Sequence, residues 1–219
     1  MSARASAHRV VAIDGPAASG KSSVARELGR QLGFDYVNSG AMYRAVTWHV
    51  LQNAIPPDDG EAIARLVENT RIDCDLDGDE SRILINGVDP AEHLRDDRVN
   101  EEVSLVSSFP RVREILVAKM RAYANEHDVV MEGRDIGSVV FPDTPFKFYI
   151  DASPEVRLRR RTAQGQRDQI AARDRADSSR RASPLIIAED AHVIDSSNLT
   201  IDGVVGEIIG RLKMKGLKI

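Results

Sequence analysis

Gly15-Pro16-Ala17-Ala18-Ser19-Gly20-Lys21-Ser22 places glycine, lysine and a hydroxyl at every required position of G-x-x-x-x-G-K-[ST]. Glycines at these points let backbone N–H groups turn inward around phosphate oxygens, and a following helix adds its positive N-terminal end. Lys21 supplies a mobile point charge for the β- and γ-phosphates. The Ser22 hydroxyl can join phosphates and waters around Mg²⁺. The expected ligand is a nucleoside triphosphate. Arginines supply the second chemical signal. Arg44, Arg111, Arg113 and Arg134 fall at helix starts or strand ends, where guanidinium forks could grip an anionic acceptor. From Arg157 to Arg181 there are nine arginines against three aspartates, within a chain of net charge −4. A local anionic ligand explains that asymmetry better than a generally basic surface.

These residues need a scaffold, and the hydropathy pattern supplies one. Val10 to Ile13 is a short apolar run suited to a strand buried on both faces, and it leads directly into the phosphate motif. Val24, Leu28 and Leu32 then recur on one helical face, with Gly33 as the stop. Phe34 to Val37 reads as a second strand, with Ser39 capping the next helix. After the break at Pro56 to Gly60, the alternation at Ile72, Cys74 and Leu76 and again at Ile83 and Ile85 predicts an antiparallel hairpin with a helix on either side. We read residues 61–107 as an insertion. Pro110 opens a long helix, and Val129 to Met131, Phe146 to Ile150 and Ala191 to Ile194 give three more strands. Pro154 begins the arginine-rich helix, and Val204 to Leu212 mark a closing one. Five short strands alternating with helices predict an α/β fold, a five-stranded parallel sheet covered on both faces.

With 219 residues, 42% of them apolar, the chain can build a core without staples. The single Cys74 cannot form an internal disulfide, and the five histidines show no metal-ligand spacing. No Asn is followed by Lys, so the base-reading motif of a GTPase is missing. Negative net charge and 5% aromatic residues speak against nucleic acid as a partner. The apolar runs are too short for a membrane span, and Met1 to Arg9 is too polar for a secretion signal, so a cytoplasmic location is expected. A small-molecule kinase and a non-catalytic nucleotide-sensing module both remain open at this point.

Longer runs narrow the choice. Ile13-Asp14-Gly15-Pro16, Asn38-Ser39-Gly40-Ala41-Met42-Tyr43-Arg44, Ser108 to Arg113, and Glu132-Gly133-Arg134-Asp135-Ile136-Gly137-Ser138-Val139-Val140-Phe141-Pro142 occur in order, followed by Arg173-Asp174, Asp177-Ser178, Arg180 and Ser183-Pro184-Leu185. Together they resemble bacterial-type cytidylate kinases across about residues 10–212. The resemblance implies a nucleoside-monophosphate kinase fold: a single kinase domain over 1–219, the 61–107 insertion binding the monophosphate, and a short arginine-rich lid at 157–181. It implies transfer of the γ-phosphoryl of ATP to CMP or dCMP with Mg²⁺; chain length and loop spacing favour a monomer. ATP would lie along Gly15, Pro16, Ala17, Ala18, Ser19, Gly20, Lys21, Ser22 and Ser23, with Arg157 and Arg161 from the lid. CMP would meet Ser39, Arg44, Ser104, Arg113, Arg134, Asp135, Arg173, Asp177 and Arg180. In that set Arg44 and Arg134 match positions that hold the acceptor phosphate. Ser104, Arg113 and Asp135 match those that read cytosine, whose exocyclic amine is complementary to a carboxylate. Lys21, Arg134 and Arg180 would carry the catalysis. Two departures stand out: the lid is short, and Asn38 stands where relatives often carry Asp.

Overall fold

The computed structural model describes residues 8–77, 80–163, 170–180 and 183–218. Its parallel strands are β1 (Val10–Asp14), β2 (Asp35–Asn38), β5 (Val129–Gly133), β6 (Phe146–Asp151) and β7 (His192–Asp195), arranged β2-β5-β1-β6-β7. The hairpin strands β3 (Ile72–Asp77) and β4 (Glu80–Ile85) pair antiparallel with each other, and β4 joins the edge of β2 through one parallel pair, Tyr36 with Glu80. The five expected parallel strands are thus extended by the hairpin into one seven-stranded sheet.

Period-two alternation along the central strands sends apolar side chains to both faces. Val11, Ile13, Val130, Phe148 and Ile150 pack on one side, against Val24 and Leu28 of α1 (Lys21–Leu32) and Val204 and Ile208 of α8 (Ile201–Met214). Ala12, Val129 and Met131 face the other side. There they meet Met42 and Val46 of α2 (Ser39–Gln52), Ile63 of α3 (Gly60–Glu68), Val103 of α4 (Asp97–Val106) and Leu116 of α5 (Pro110–Ala124). The hairpin lies between α3 and α4 in the chain. The arginine-rich region supplies α6 (Pro154–Ala163) and α7 (Ile170–Ser179). The expected Arg167 and Arg181 and the Arg173 side chain lie outside the described residues. No helix among the described residues is long and apolar enough to cross a membrane.

One local expectation is corrected. Asn38, not Ser39, caps α2: its side chain accepts from the Ala41 N–H at 2.9 Å. Ser39 is the first helical residue, and its hydroxyl turns inward to donate to the Glu132 carbonyl at 2.8 Å. Asn caps as well as Ser does, so the pair Asn38-Ser39 frees the serine for the neighbouring strand.

Candidate active site

β1 is the middle one of the five parallel strands, between β5 and β6, and the chain turns at its end into the phosphate motif. This is where open α/β sheets place ligands. The turn requires its glycines. At Gly15, φ +155°, a Cβ would collide with the Ile150 carbonyl, and Gly20 enters α1 with φ +92°. Beyond the loop opens a cleft of about 870 Å³, near the upper end for small-molecule sites. The residues from Ala17 to Ser23 line one part, and the starts of α2, α5 and α8, α4 with the turn before it, the end of β5, and α6 and α7 close the rest. Cationic side chains outnumber carboxylates there by three to one among the described residues, a wall suited to phosphates.

Lys21 is buried, donates to the Pro16 carbonyl at 3.2 Å and lies 3.8 Å from Glu132 Oε2. Ser22 Oγ donates to Glu132 Oε1 at 2.6 Å, and the Tyr36 hydroxyl reaches the same oxygen at 3.3 Å. Glu132 was not singled out from the sequence. Its signal was its place, a carboxylate closing an apolar strand that runs beside β1. The adjacent Ser22 hydroxyl and Glu132 carboxylate are hard oxygen donors, a set that fits Mg²⁺, which takes one or two protein oxygens and completes its shell with phosphates and water.

Across the cleft, Arg113 on α5 and Asp135 after β5 form a buried ion pair through Arg113 Nη2. Arg113 also donates to the Ser107 carbonyl at 3.2 Å, and its guanidinium lies 5.0 Å from the centre of the Tyr43 ring. Ser104, one turn before Ser107 on α4, lines the same wall. Arg134 reaches the other way. Its Nη1 donates to the Gly15 carbonyl at 2.6 Å and its Nε to Asp177 Oδ2 at 2.7 Å, while Arg180 Nη2 meets Asp177 Oδ1 at 2.5 Å. Burial lowers the pKa of Arg180, with Asp177 acting in the opposite direction. Arg113 Nε and Arg180 Nε are buried donors with no partner among the described residues, which costs stability unless a ligand supplies acceptors. Arg44, on α2, holds the Gly40 carbonyl at 3.0 Å and lines the cleft with Ser39.

The arginines of α6 divide. Arg161 lines the cleft. Arg157 instead grips the Ala17 carbonyl at 3.2 Å and pairs with Asp174, whose other oxygen accepts from the Ala17 N–H at 3.0 Å. Arg160, outside the expected set, faces the cleft and donates to the Ser19 carbonyl at 3.0 Å and to both the Ser196 hydroxyl and carbonyl. Positions 157, 160 and 161 share a helical face, so periodicity could not tell Arg157 from Arg160. Their partners, lying 17 to 141 residues away, decide it.

Comparison with known proteins places this geometry in a family. The family model described as cytidylate kinase matches residues 11–214. Cytidylate kinases of Caldanaerobacter subterraneus subsp. tengcongensis and Rhodococcus opacus are each 44% identical to it, over 209 and 212 residues. The alignments cover 90% and 91% of this chain and 92% and 93% of those relatives. The crystal structure of an uncharacterized protein from Eubacterium ventriosum shares the fold, with TM-score 0.51 and 13% identity over 94% of this chain and 99% of that one.

Proposed function

The chain belongs to the cytidylate kinase family, and on that premise we propose how its side chains divide the work of moving the γ-phosphoryl group of ATP to CMP. The enzyme is a (d)CMP kinase. The acceptor needs little activation, because a phosphate monoester with a second pKa near ~6 is already an anionic nucleophile at neutral pH. The work is alignment and charge neutralisation in a site shielded from water.

ATP lies with its phosphates along Gly15 to Ser23, Lys21 at the β/γ bridge and Arg161 on the lid side, while Arg157 braces the loop from behind through the Ala17 carbonyl. Ser22, with Glu132 behind it, would hold Mg²⁺, which when bound neutralises charge on the transferring phosphates. CMP lies opposite, its phosphate among Arg44, Arg134 and Arg180, its ribose toward Asp177 and Arg173. Its base faces Ser104, Arg113 and Asp135. The 61–107 segment forms the acceptor side of the cleft and 157–181 the lid. The same reading takes the protein as a cytoplasmic monomer.

The observation that carries this division is the buried Arg113–Asp135 pair, set across the cleft from the phosphate loop. It offers a donor and an acceptor side by side, as the cytosine edge requires. Uracil presents an oxygen where cytosine has its amine and would face the Asp135 carboxylate repulsively. A panel of CMP, dCMP, UMP, AMP and GMP with ATP, followed by diphosphate formation, tests it. CMP and dCMP should be phosphorylated far faster than UMP, and equal rates with UMP would overturn the base-reading assignment.

A further inference from the structure

Asp14 closes β1 immediately before Gly15, is 5% exposed, and is not among the residues that line the cleft. Its carboxylate nevertheless faces the acceptor side. The Ile136 N–H donates to Oδ1 at 2.8 Å and the Gly137 N–H to Oδ2 at 2.7 Å. Those amides begin the π-helical turn Ile136–Val140, directly after Arg134 and Asp135. A contact runs back the other way, from Arg134 Nη1 to the Gly15 carbonyl at 2.6 Å. Two segments more than a hundred residues apart are therefore stapled twice, once by a side chain from each. We propose that Asp14 is a positioning residue for phosphoryl transfer, fixing Arg134 and Asp135 against the first turn of the phosphate loop so that acceptor and donor lie in register.

The chemistry selects a carboxylate. It accepts two N–H groups at once, whereas an amide in its place accepts one and points a donor at the other. A buried carboxylate is costly to keep. Asp135 nearby adds to that cost and Lys21 relieves it; Tyr149 lies on the adjoining strand, and the aliphatic stem of Lys147 packs where a Gly137 Cβ would sit. The proposal rests on the assignment of Arg134 and Asp135 to the acceptor. It goes beyond that assignment by making their placement depend on a side chain that touches neither substrate.

The test compares Asp14→Asn with the wild type and with Asp135→Ala, using purified full-length protein. Asp14→Asn should lower kcat by roughly 10- to 100-fold, as a misplacement remote from the chemistry does, and narrow the CMP-over-UMP ratio, with the KM for ATP changed less than twofold. Unchanged kcat and base preference beside an altered Asp135→Ala would overturn it. So would a loss of ATP affinity, which would place the effect in the phosphate loop. If Asp135→Ala leaves the base ratio unaltered, the base-reading assignment fails instead, and the kcat of Asp14→Asn alone judges the positioning role. Should the variant not fold, wild-type NMR decides. The Ile136 and Gly137 amide shifts should follow one shared ionisation that coincides with an acid limb in kcat. Independent titration of the two amides, or none, would overturn the proposal.

Discussion

Single side chains in this site face competing demands. Arg113 and Asp135 already hold each other as a buried ion pair, so on the proposed assignment cytosine shares that pair rather than meeting two free groups. Removing one partner leaves a buried charge uncompensated. Asp135→Ala should therefore cost stability as well as selectivity, narrowing the CMP-over-UMP ratio of kcat/KM by at least ~10-fold; competing-substrate kinetics measures the second effect and thermal melts the first. Lys21→Ala should lower kcat by ~10²-fold or more, read as ADP release with CMP present. Asp14 gives a pH signature. Burial pushes its carboxyl from 3.8 up to about 7, although hydrogen bonds from Gly137 and Ile136 pull it down. The folded state thus holds the proton more tightly than the unfolded one. The stability this provides is complete in acid and is lost as pH rises from about 4 through 7. Asp14→Asn should consequently gain stability relative to wild type on going from pH 5 to pH 8, as followed by urea melts; a parallel pH dependence in both proteins would contradict that.

Elements matter here for how closely they let backbones approach. Gly133, the last residue of β5, has no room for a side chain: a Cβ would lie 2.5 Å from Ser39 Oγ and 2.8 Å from Ile136. Gly133→Ala should push α2 away from the strand that leads into Arg134. About 1–3 kcal/mol of stability should be lost, with a higher KM for CMP and little change for ATP, measurable by denaturation and initial rates. Local spacing made much of this layer legible from residues alone. The phosphate loop, the five parallel strands, the hairpin and the prolines that open α5 and α6 all have short-range signals. The π-helical turn after β5 was not legible, because its hold comes from Asp14 and, at its far end, from Arg121, which donates to the Val139 and Val140 carbonyls. The arginine-rich helix was legible as an element but not residue by residue: Arg157 and Arg160 lie on one helical face, and their distant carbonyl partners set their aim.

For the molecule as a whole, sheet order and charge set the reaction. Placing β1 between β5 and β6 puts the phosphate loop at the C-terminal end of the middle parallel strand, and β5 delivers Glu132, Arg134 and Asp135 beside it. Helices α6 and α7 touch the phosphate loop through Arg157, Arg160 and Asp174. An inhibitor joining adenosine to cytidine through a phosphate chain should occupy both ends of the cleft. At 100 times its dissociation constant it should stabilise the fold by about 2.7 kcal/mol. The central claim, that one cleft presents ATP and CMP phosphate to phosphate between the loop and the arginines, is tested most directly by a crystal structure with CMP and a non-hydrolysable ATP analogue. The account predicts the CMP phosphate among Arg44, Arg134 and Arg180, with the cytosine amine hydrogen-bonded to Asp135. A CMP phosphate bound away from those three guanidinium groups would contradict it.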